Sequence, residues 1–239
     1  KTTVMTNNTP LGKLYLIPVT MGESDPMDVL PQTVKRTIEL IDHYIVENEK
    51  TARKSIKGVL PEKKQSELVL FALNKHTDAK EHLSFIQPLL AGKNMGLMSE
   101  AGCPGVADPG AVIVKLAHEK GVQVIPLVGP SSILLAMMAS GMNGQSFTFN
   151  GYLPIDKGEK KSALKNFEKL SFDKNQSQIF IETPYRNNKL LEDILQALQP
   201  STHLCIATDI TLPTEYIKTL RVADWKKTKV DLHNRPTIF

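Results

Sequence analysis

The amino-acid sequence predicts an α/β protein built from two dissimilar α/β domains. Segments typical of strands alternate with segments typical of helices from residue 14 onward, and 41% of the 239 residues are apolar, which is enough for a sizeable core. The pattern changes after Gly129 and Pro130, where a second series begins without an internal repeat. We therefore predict an N-terminal domain over residues 1–128 and a C-terminal domain over residues 129–239.

The first domain is predicted to be a mostly parallel sheet covered by helices. Short apolar runs predict strands at residues 14–19, 44–46, 67–73, 95–99 and 122–128, the last of them nearly continuously buried. Apolar residues at helical spacing predict helices at residues 31–42, 80–90 and 111–119, with Asp28 as the cap of the first. Strands and helices that alternate in this way favour parallel pairing.

The second domain opens with an apolar helix over residues 133–139, capped by Ser131 or Ser132 and followed by a linker at residues 141–144. Strands are predicted at residues 147–151, 178–181, 203–208 and 215–220, and helices at residues 159–170 and 187–198. The sequence reaches Phe239 within what reads as the last strand. Open α/β sheets bind ligands beyond the carboxyl ends of their strands, and a cleft between two such domains is a natural site.

Composition and charge limit the classes of protein. No apolar run approaches the roughly 20 residues of a membrane span, and the polar residues 1–10 lack the apolar stretch of a signal peptide. Cys103 and Cys205 have no metal-type spacing, so we expect a reduced, cytoplasmic protein without a metal site or a membrane partner. The net charge of +4 suits an anionic partner such as RNA and is also common among ordinary enzymes.

Three clusters of basic residues lie along the chain. Each is interpreted as a solvated helix face, because that is the usual place for runs of lysine. Their members are Lys50, Arg53, Lys54 and Lys57; Lys157, Lys160, Lys161 and Lys165; and Lys226, Lys227 and Lys229.

The most informative segment is residues 99–110, Ser-Glu-Ala-Gly-Cys-Pro-Gly-Val-Ala-Asp-Pro-Gly, between a predicted strand and a predicted helix. Its three glycines and two prolines predict a rigid loop of little side-chain bulk, where a nucleotide-like ligand can approach the backbone amides. It is neither a dinucleotide fingerprint nor a Walker loop. An elaborate structural turn is the alternative interpretation.

This loop is similar to the Ser-Asp-Ala-Gly-Thr-Pro-Gly-Ile-Ser-Asp-Pro-Gly signature of the bacterial small-subunit rRNA ribose 2′-O-methyltransferases, a branch of the tetrapyrrole-methylase superfamily. Other segments resemble motifs of the same enzymes in the same order and spacing. They are Leu-Tyr-Leu-Ile-Pro (residues 14–18), residues 47–53, Val-Gly-Pro-Ser-Ser (128–132), Asn-Gly-Tyr-Leu-Pro (150–154) and Ile-Glu-Thr-Pro-Tyr-Arg (181–186). The resemblance therefore covers most of the chain.

The resemblance implies the class III methyltransferase fold, with S-adenosyl-L-methionine in the cleft between two α/β domains and usually a homodimer. It implies rRNA or the small ribosomal subunit as the partner. Carried over position by position, the predicted cofactor contacts are Pro18, Ala101, Gly102, Cys103, Val106, Ser131, Ser132, Glu182 or Thr183, and Thr208.

The predicted catalytic residues on the acceptor side are Glu47, His76 and Arg53. A hydroxyl acceptor needs a group that removes its proton, and Glu47 at the end of a buried strand is placed near the acceptor. His76 resembles part of a His-Asn-Glu element in the RNA enzymes, and a neutral imidazole can accept a ribose proton. Its alternative interpretation is a helix-entry residue beside Asp78.

Two further residues allow two interpretations each. Cys103 could be a nucleophile or metal ligand, but a small polarizable residue beside the cofactor is favoured. Trp225, beside two lysines, could stack on a base, although a lone tryptophan there is more often a partly buried anchor.

Some departures from the RNA enzymes bear on the acceptor. Glu-Asp-Thr-Arg becomes Glu-Asn-Glu-Lys at residues 47–50, and the C-terminal extension of the RNA enzymes is missing here, which suggests a truncated chain or a shorter paralogue. Three functions stay open: an RNA ribose methyltransferase, a methyltransferase for a tetrapyrrole or other small molecule, and a non-catalytic module that binds S-adenosylmethionine or RNA.

Overall fold

The computed structural model describes residues 9–239, so most of the polar start of the chain lies outside the described residues. The chain forms two compact units, of which the first ends at Pro130 and the second spans Ser131–Phe239. In the described part of the chain, no helix combines the length and the apolar character that crossing a membrane requires.

The first unit contains a five-stranded sheet in which every neighbouring pair is parallel. Its strands are β1 (Lys13–Leu16), β2 (His43–Val46), β3 (Val69–Ala72), β4 (Met95–Met98) and β5 (Gln123–Pro126). Their order across the sheet is β3-β2-β4-β1-β5. Gly96 of β4 lies opposite Tyr15 of β1 and Tyr44 of β2. The prediction of a mostly parallel sheet is confirmed.

Helices connect these strands. They are α1 (Pro26–Val29), α2 (Gln32–Leu40), α3 (Glu49–Val59), α4 (His82–Phe85), α5 (Gln87–Leu90) and α6 (Ala111–Glu119). Their apolar sides pack into two clusters of fully buried side chains, one around Ile38 and Ile56 and the other around Leu89 and Ile113. Burial of both faces explains why β4 is apolar throughout.

The helix predicted at residues 31–42 is present as α2, but the prediction that Asp28 caps it is wrong. Asp28 lies inside α1, and the carboxylate of Asp25 caps that short helix by accepting from the N–H of Met27. The following helix α2 begins after Pro31 without a side-chain cap. Pro31 separates α1 from α2, because a proline disfavours the helical conformation in the residue before it, and Leu30 is extended.

Two other predicted elements differ from the structure. The single helix at residues 80–90 is divided into a 3₁₀ turn (Ala79–Glu81), α4 and α5, because Pro88 lacks an N–H and is suited only to the first turn of a new helix. The strand at residues 122–128 is not buried throughout. It is shortened to β5, an edge strand paired only with β1, and Val128 beyond it is 77% exposed.

The second unit contains a mixed five-stranded sheet. Its strands are β6 (Phe147–Tyr152), β7 (Ser177–Ile181), β8 (His203–Thr208), β9 (Tyr216–Arg221) and β10 (Thr237–Ile238). The order is β6-β7-β10-β8-β9. Only β6 and β7 pair in parallel, and β10 runs antiparallel to both of its neighbours. The different topologies of the two sheets confirm two dissimilar α/β folds.

The helices of the second unit are α7 (Ser132–Ser140), α8 (Lys157–Lys174), α9 (Asn187–Ala197) and α10 (Val222–Trp225). The core of this unit includes Leu164 of α8, Ile194 of α9 and Trp225 of α10. Trp225 is 1% exposed, and its indole N–H donates to the carbonyl of Leu204 at 2.8 Å. The interpretation of Trp225 as a buried anchor is confirmed, and the interpretation as a base-stacking residue is wrong.

Candidate active site

The Gly/Pro loop, residues 99–110, connects β4 to α6 at the carboxyl edge of the parallel sheet. One side chain fixes its shape. Both carboxylate oxygens of Asp108 accept from the N–H of Gly105 at 2.9 Å, and Oδ1 also accepts from the N–H of Gly110 at 2.7 Å. Gly105 has φ of +82°, which L side chains rarely adopt. Asp108 is therefore the organising residue of the loop, a role that we did not predict.

The start of the Gly/Pro loop is tied to two other segments of the first unit. The carbonyl of Gly102, at φ of +65°, accepts from the N–H of Val19 at 3.0 Å. The thiol of Cys103 donates to the carbonyl of Pro130 at 3.3 Å. Burial raises the pKa of the Cys103 thiol, which keeps it protonated and unsuited to be a nucleophile.

Pro18 and Gly129 are in close contact at the carboxyl end of β1. Pro18 is buried directly after this strand, and a Cβ atom placed on Gly129 would lie 2.2 Å from the Cβ and Cγ atoms of Pro18. Only glycine permits this approach. The predicted cofactor contact Pro18 is thereby held against the backbone of the Val-Gly-Pro segment.

The residues around the loop fit a nucleoside-like cofactor. Ala101 and Val106 are exposed and small, and, among the described residues, the N–H groups of Ala101 and Cys103 have no hydrogen-bond acceptor. Next to them, a pocket of the first unit is lined by Pro18, Thr20, Ser24, Thr51, Glu100 and Ala101. The lining also includes apolar residues such as Leu30, Ile38 and Met98. Free backbone donors beside a pocket of mixed polarity suit a ligand that has hydroxyl and carboxylate groups as well as apolar parts.

Glu47 directly follows β2 and is only partly exposed. Its Oε2 accepts from the N–H of Glu100 at 3.3 Å, which places it beside the Gly/Pro loop. Burial raises the pKa of Glu47, a rise that the Glu100 hydrogen bond opposes and the negative charges of Glu100 and Asp108 reinforce. A carboxylate with a raised pKa is a stronger proton acceptor than an ordinary one.

The other two predicted catalytic residues are placed differently. Arg53 in α3 donates through Nη1 to the carbonyl of Gln65 at 2.8 Å, so it holds the segment that precedes β3. His76 is exposed in a turn, and its backbone N–H donates to Asn74. Neither side chain hydrogen-bonds to Glu47 or to the Gly/Pro loop within residues 9–239. Their catalytic roles stay predictions.

The departure at Asn48 has a structural explanation. The Oδ1 atom of Asn48 accepts from the N–H of Thr51 at 3.0 Å and so caps α3. Asparagine and aspartate are equally good N-caps, so the exchange leaves this helix start intact. The hydroxyl of Thr51 donates to Oε1 of Glu100 at 3.4 Å, and this bond connects the start of α3 to the Gly/Pro loop.

Ser131 and Ser132 lie at the start of α7 in the second unit. The hydroxyl of Ser131 caps the helix by accepting from the N–H of Leu134 at 3.4 Å, and Ser132 is the first helical residue. Both are half-buried. Their contact with the cofactor stays a prediction.

The remaining predicted cofactor contacts lie at strand ends. Oε1 of Glu182 accepts from the N–H of Thr183 at 2.7 Å, where the chain leaves β7. Thr208 at the end of β8 is fully buried, and its hydroxyl bonds to the carbonyl of Pro236 and to the hydroxyl of Thr237. Thr208 therefore offers a ligand no free hydroxyl in this structure, and Glu182 and Thr183 stay predicted contacts.

Sequence reasoning missed a polar cluster directly after β8. Asp209 and Thr211 have φ of 51° and 74°. The Asp209 carboxylate accepts from Arg235 Nε at 2.7 Å and from the Thr214 hydroxyl at 2.9 Å. Positive φ in non-glycine residues is costly and often marks functional segments. The short run of Thr and Pro residues after β8 could have indicated an irregular polar segment. It does not indicate that Arg235 is the partner of Asp209.

Within the described residues, no three His, Cys, Asp or Glu side chains are grouped to hold a metal ion.

Known proteins resemble this chain in sequence. The "Ribosomal RNA small subunit methyltransferase I" of Vibrio cholerae is 29% identical over 218 residues, covering 91% of this chain and 71% of its own length. The protein of the same name from Escherichia coli O157:H7 is 29% identical over 206 residues, covering 86% and 68%. That of Bacillus subtilis is 32% identical over 188 residues, covering 79% and 60%.

Solved structures share the fold at low identity. The methyltransferase CobJ superposes with a TM-score of 0.62 at 15% identity, covering 95% of this chain and 92% of its own. Uroporphyrin-III C-methyl transferase from Thermus thermophilus, complexed with S-adenyl homocysteine, has a TM-score of 0.56 at 17% identity and covers 95% of both chains. The profile of the Tetrapyrrole (Corrin/Porphyrin) Methylases matches residues 13–225. The chain therefore belongs to the tetrapyrrole methylase family and is a methyltransferase that uses S-adenosylmethionine.

Proposed function

We propose that this enzyme methylates a ribose 2′-hydroxyl of small-subunit rRNA. The observation that carries the proposal is the similarity to several proteins named rRNA small subunit methyltransferase I, which extends over 91% of the chain in the first of them. The carboxylate of Glu47 beside the Gly/Pro loop adds support, because a hydroxyl acceptor has a proton to lose.

When bound, S-adenosylmethionine supplies a methyl group that is already electrophilic. The protein therefore has two tasks: to hold the acceptor oxygen in line and to remove its proton. The Gly/Pro loop, shaped by Asp108, presents backbone groups for binding. Glu47, held by the N–H of Glu100, accepts the proton of the ribose hydroxyl at a carboxylate oxygen.

The test is tritium transfer from labelled S-adenosylmethionine to small ribosomal subunits that lack the modification. Glu47→Gln keeps the size and one acceptor oxygen but cannot take a proton, so we expect a loss of transfer of about 10²- to 10⁴-fold with unchanged cofactor affinity. Glu49→Gln, on the exposed start of α3, is the matched control and should retain activity.

The pH dependence gives a second measurement. The raised pKa of Glu47 means that the carboxylate takes up a proton at a higher pH than an ordinary glutamate, so transfer should fall as the pH drops through that raised value. Glu47→Gln should remove this acid limb. Transfer to a tetrapyrrole precursor but not to rRNA, or an unchanged acid limb in the variant, would contradict the proposal.

The proposal extends to assembly and location. We place the enzyme in the cytoplasm, where ribosomal subunits are made in bacteria, and two free cysteines suit a reducing compartment. We also propose a homodimer, which the apolar helix α7 supports, because its side chains Leu134 and Met138 are 53% and 78% exposed.

A further inference from the structure

Helix α8 carries a stripe of basic residues that ends in an exposed aromatic ring. Lys161, Lys165 and Lys169 follow each other at intervals of four, and Phe172 comes three residues later, so all four side chains lie on one face. All are exposed, and Phe172 is 89% exposed. The opposite side of the helix packs Leu164 into the core.

A solvated helix face explains lysines but not Phe172. Exposing a whole phenylalanine ring forgoes about 1.5–3 kcal/mol of burial free energy, and nothing in the packing of α8 requires a ring there. Lys161 and Lys165 form no ion pair with any described residue, and Lys169 contacts only Asp173 in an exposed pair at 2.6 Å. The stripe therefore has positive charge that the second unit does not neutralise.

A polar groove of the second unit runs beside this face. Phe172, Lys165 and Lys169 border it, and its other side includes Asn143, Gln199 and Thr202. The groove also contains Glu168, whose Oε2 already accepts from the N–H of Gln199 at 2.9 Å and the hydroxyl of Thr202 at 2.6 Å. The groove thus offers amide and hydroxyl groups, while both of its carboxylates already have partners, Glu168 as described and Asp173 through its ion pair with Lys169.

We propose that the stripe of Lys161, Lys165, Lys169 and Phe172 is an RNA-binding surface, on which the lysines contact phosphates and Phe172 stacks on an unpaired base. The inference rests on the proposed rRNA substrate and names a surface that contacts it. Sequence-specific RNA recognition uses unstacked bases placed on aromatic side chains, with cations along the backbone.

A protein partner fits this surface less well. The buried centre of a protein interface is depleted in lysine and joins several apolar residues. Here a single ring is flanked by three lysines and a polar groove. The composition is that of a nucleic-acid surface rather than of an apolar docking site.

The first test uses charge. Binding of naked small-subunit rRNA is measured by filter retention over a series of salt concentrations. We expect Lys161→Gln/Lys165→Gln to weaken binding and to reduce the slope of log K against log[salt] by about 1.4 to 1.8, which is two phosphate contacts. Lys226→Gln/Lys227→Gln removes the same charge from another exposed site of the second unit and is the matched control.

The second test uses the ring. Phe172→Leu keeps an apolar side chain but loses the flat π face, and should weaken RNA binding about tenfold, whereas Phe172→Tyr keeps the face and should bind like the parent. Because the ring is exposed, neither change should affect folding. Equal affinity of the leucine and tyrosine variants would overturn the stacking proposal and would favour an apolar protein contact.

Methyl transfer to assembled subunits, measured in parallel, separates this inference from the proposed function. If the parent transfers methyl groups to rRNA while all stripe variants bind RNA like the parent, the inference is wrong and the proposed function stands. If the parent neither binds rRNA nor methylates it, both are wrong. The inference is supported if the stripe variants bind RNA more weakly than the parent and the control variant do, while their affinity for S-adenosylmethionine is normal.

Discussion

Asp108 shows how one side chain can preorganise a ligand loop. Its two carboxylate oxygens bring the N–H groups of Gly105 and Gly110 together, and each would otherwise need a water molecule or another acceptor. Unpaired buried N–H groups cost about 1–3 kcal/mol each, so the loop has one strongly preferred shape while this carboxylate is present. The backbone groups of the predicted cofactor contacts in this loop depend on that shape.

We expect Asp108→Ala to weaken S-adenosylmethionine binding by tenfold or more. Without the carboxylate the loop is no longer preorganised, and the free energy of ordering it is subtracted from the free energy of binding. Calorimetric titration measures the affinity. Asp156→Ala is the matched control: it removes a carboxylate that caps α8, at a cost in stability of about 1 kcal/mol, but lies in another unit. Normal cofactor affinity in the Asp108 variant would show that the loop keeps its shape without the carboxylate.

At the residue scale, the sequence predicts which types of residue lie in the site better than it predicts their hydrogen-bond partners. The predicted residues Gly102 and Cys103 do lie in a constrained loop, because glycine and proline restrict the backbone locally. Arg53 bonds to the carbonyl of Gln65, twelve residues away, and such a partner cannot be read from spacing. The same limit hides Arg235 as the partner of Asp209. Long-range hydrogen bonds follow from the fold, not from a motif.

The loops of the first unit depend on close backbone contact as much as on hydrogen bonds. Gly129 lies against Pro18 so tightly that no side chain fits, and both residues border segments of the predicted cofactor site. This contact gives a physical reason for glycine in the Val-Gly-Pro segment.

We expect Gly129→Ala to destabilise the protein by about 1–3 kcal/mol, because the new Cβ forces Pro18 or the backbone to move. Urea denaturation monitored by circular dichroism measures the change. Gly144→Ala is the control, since a Cβ there meets no atom within 4 Å, and it should be neutral or stabilising by up to about 1 kcal/mol. Equal stability of the two variants would contradict the close-contact argument.

The elements themselves were predicted with uneven success. The helix at residues 111–119 and the strand at residues 203–208 have the predicted bounds, because the helix has apolar residues at helical spacing and the strand is a continuous buried run. The strand β10 has two residues, too few for any period. The exposure of β5 follows from its place at the sheet edge, and strand order is not contained in local pattern.

On the scale of the whole molecule, the exposed apolar side chains of α7 bear on assembly. It is apolar on all sides, yet Leu134 and Met138, one turn apart, are largely exposed. A helix of this kind is normally covered. A second copy of the chain would cover it in the proposed homodimer.

We expect Met138→Glu to convert the dimer to a monomer, because a buried, unpaired carboxylate in an interface is strongly unfavourable. Sedimentation velocity over a range of protein concentrations measures the state. Leu40→Glu, at a residue 81% exposed in the first unit, should leave the dimer intact. A parent protein that stays monomeric at tens of micromolar would refute the homodimer.

The position of β10 also bears on how the second unit is made. Strands β6 and β7 pair with each other, as do β8 and β9, and the two pairs are joined through β10 and the residues that flank it, 236 and 239. During synthesis both pairs are made before the strand that unites them, because β10 is the last strand of the unit. Until then the facing edges of β7 and β8 are unpaired and open to wrong partners. Docking of β10 therefore closes two strand edges that would otherwise invite pairing with another chain.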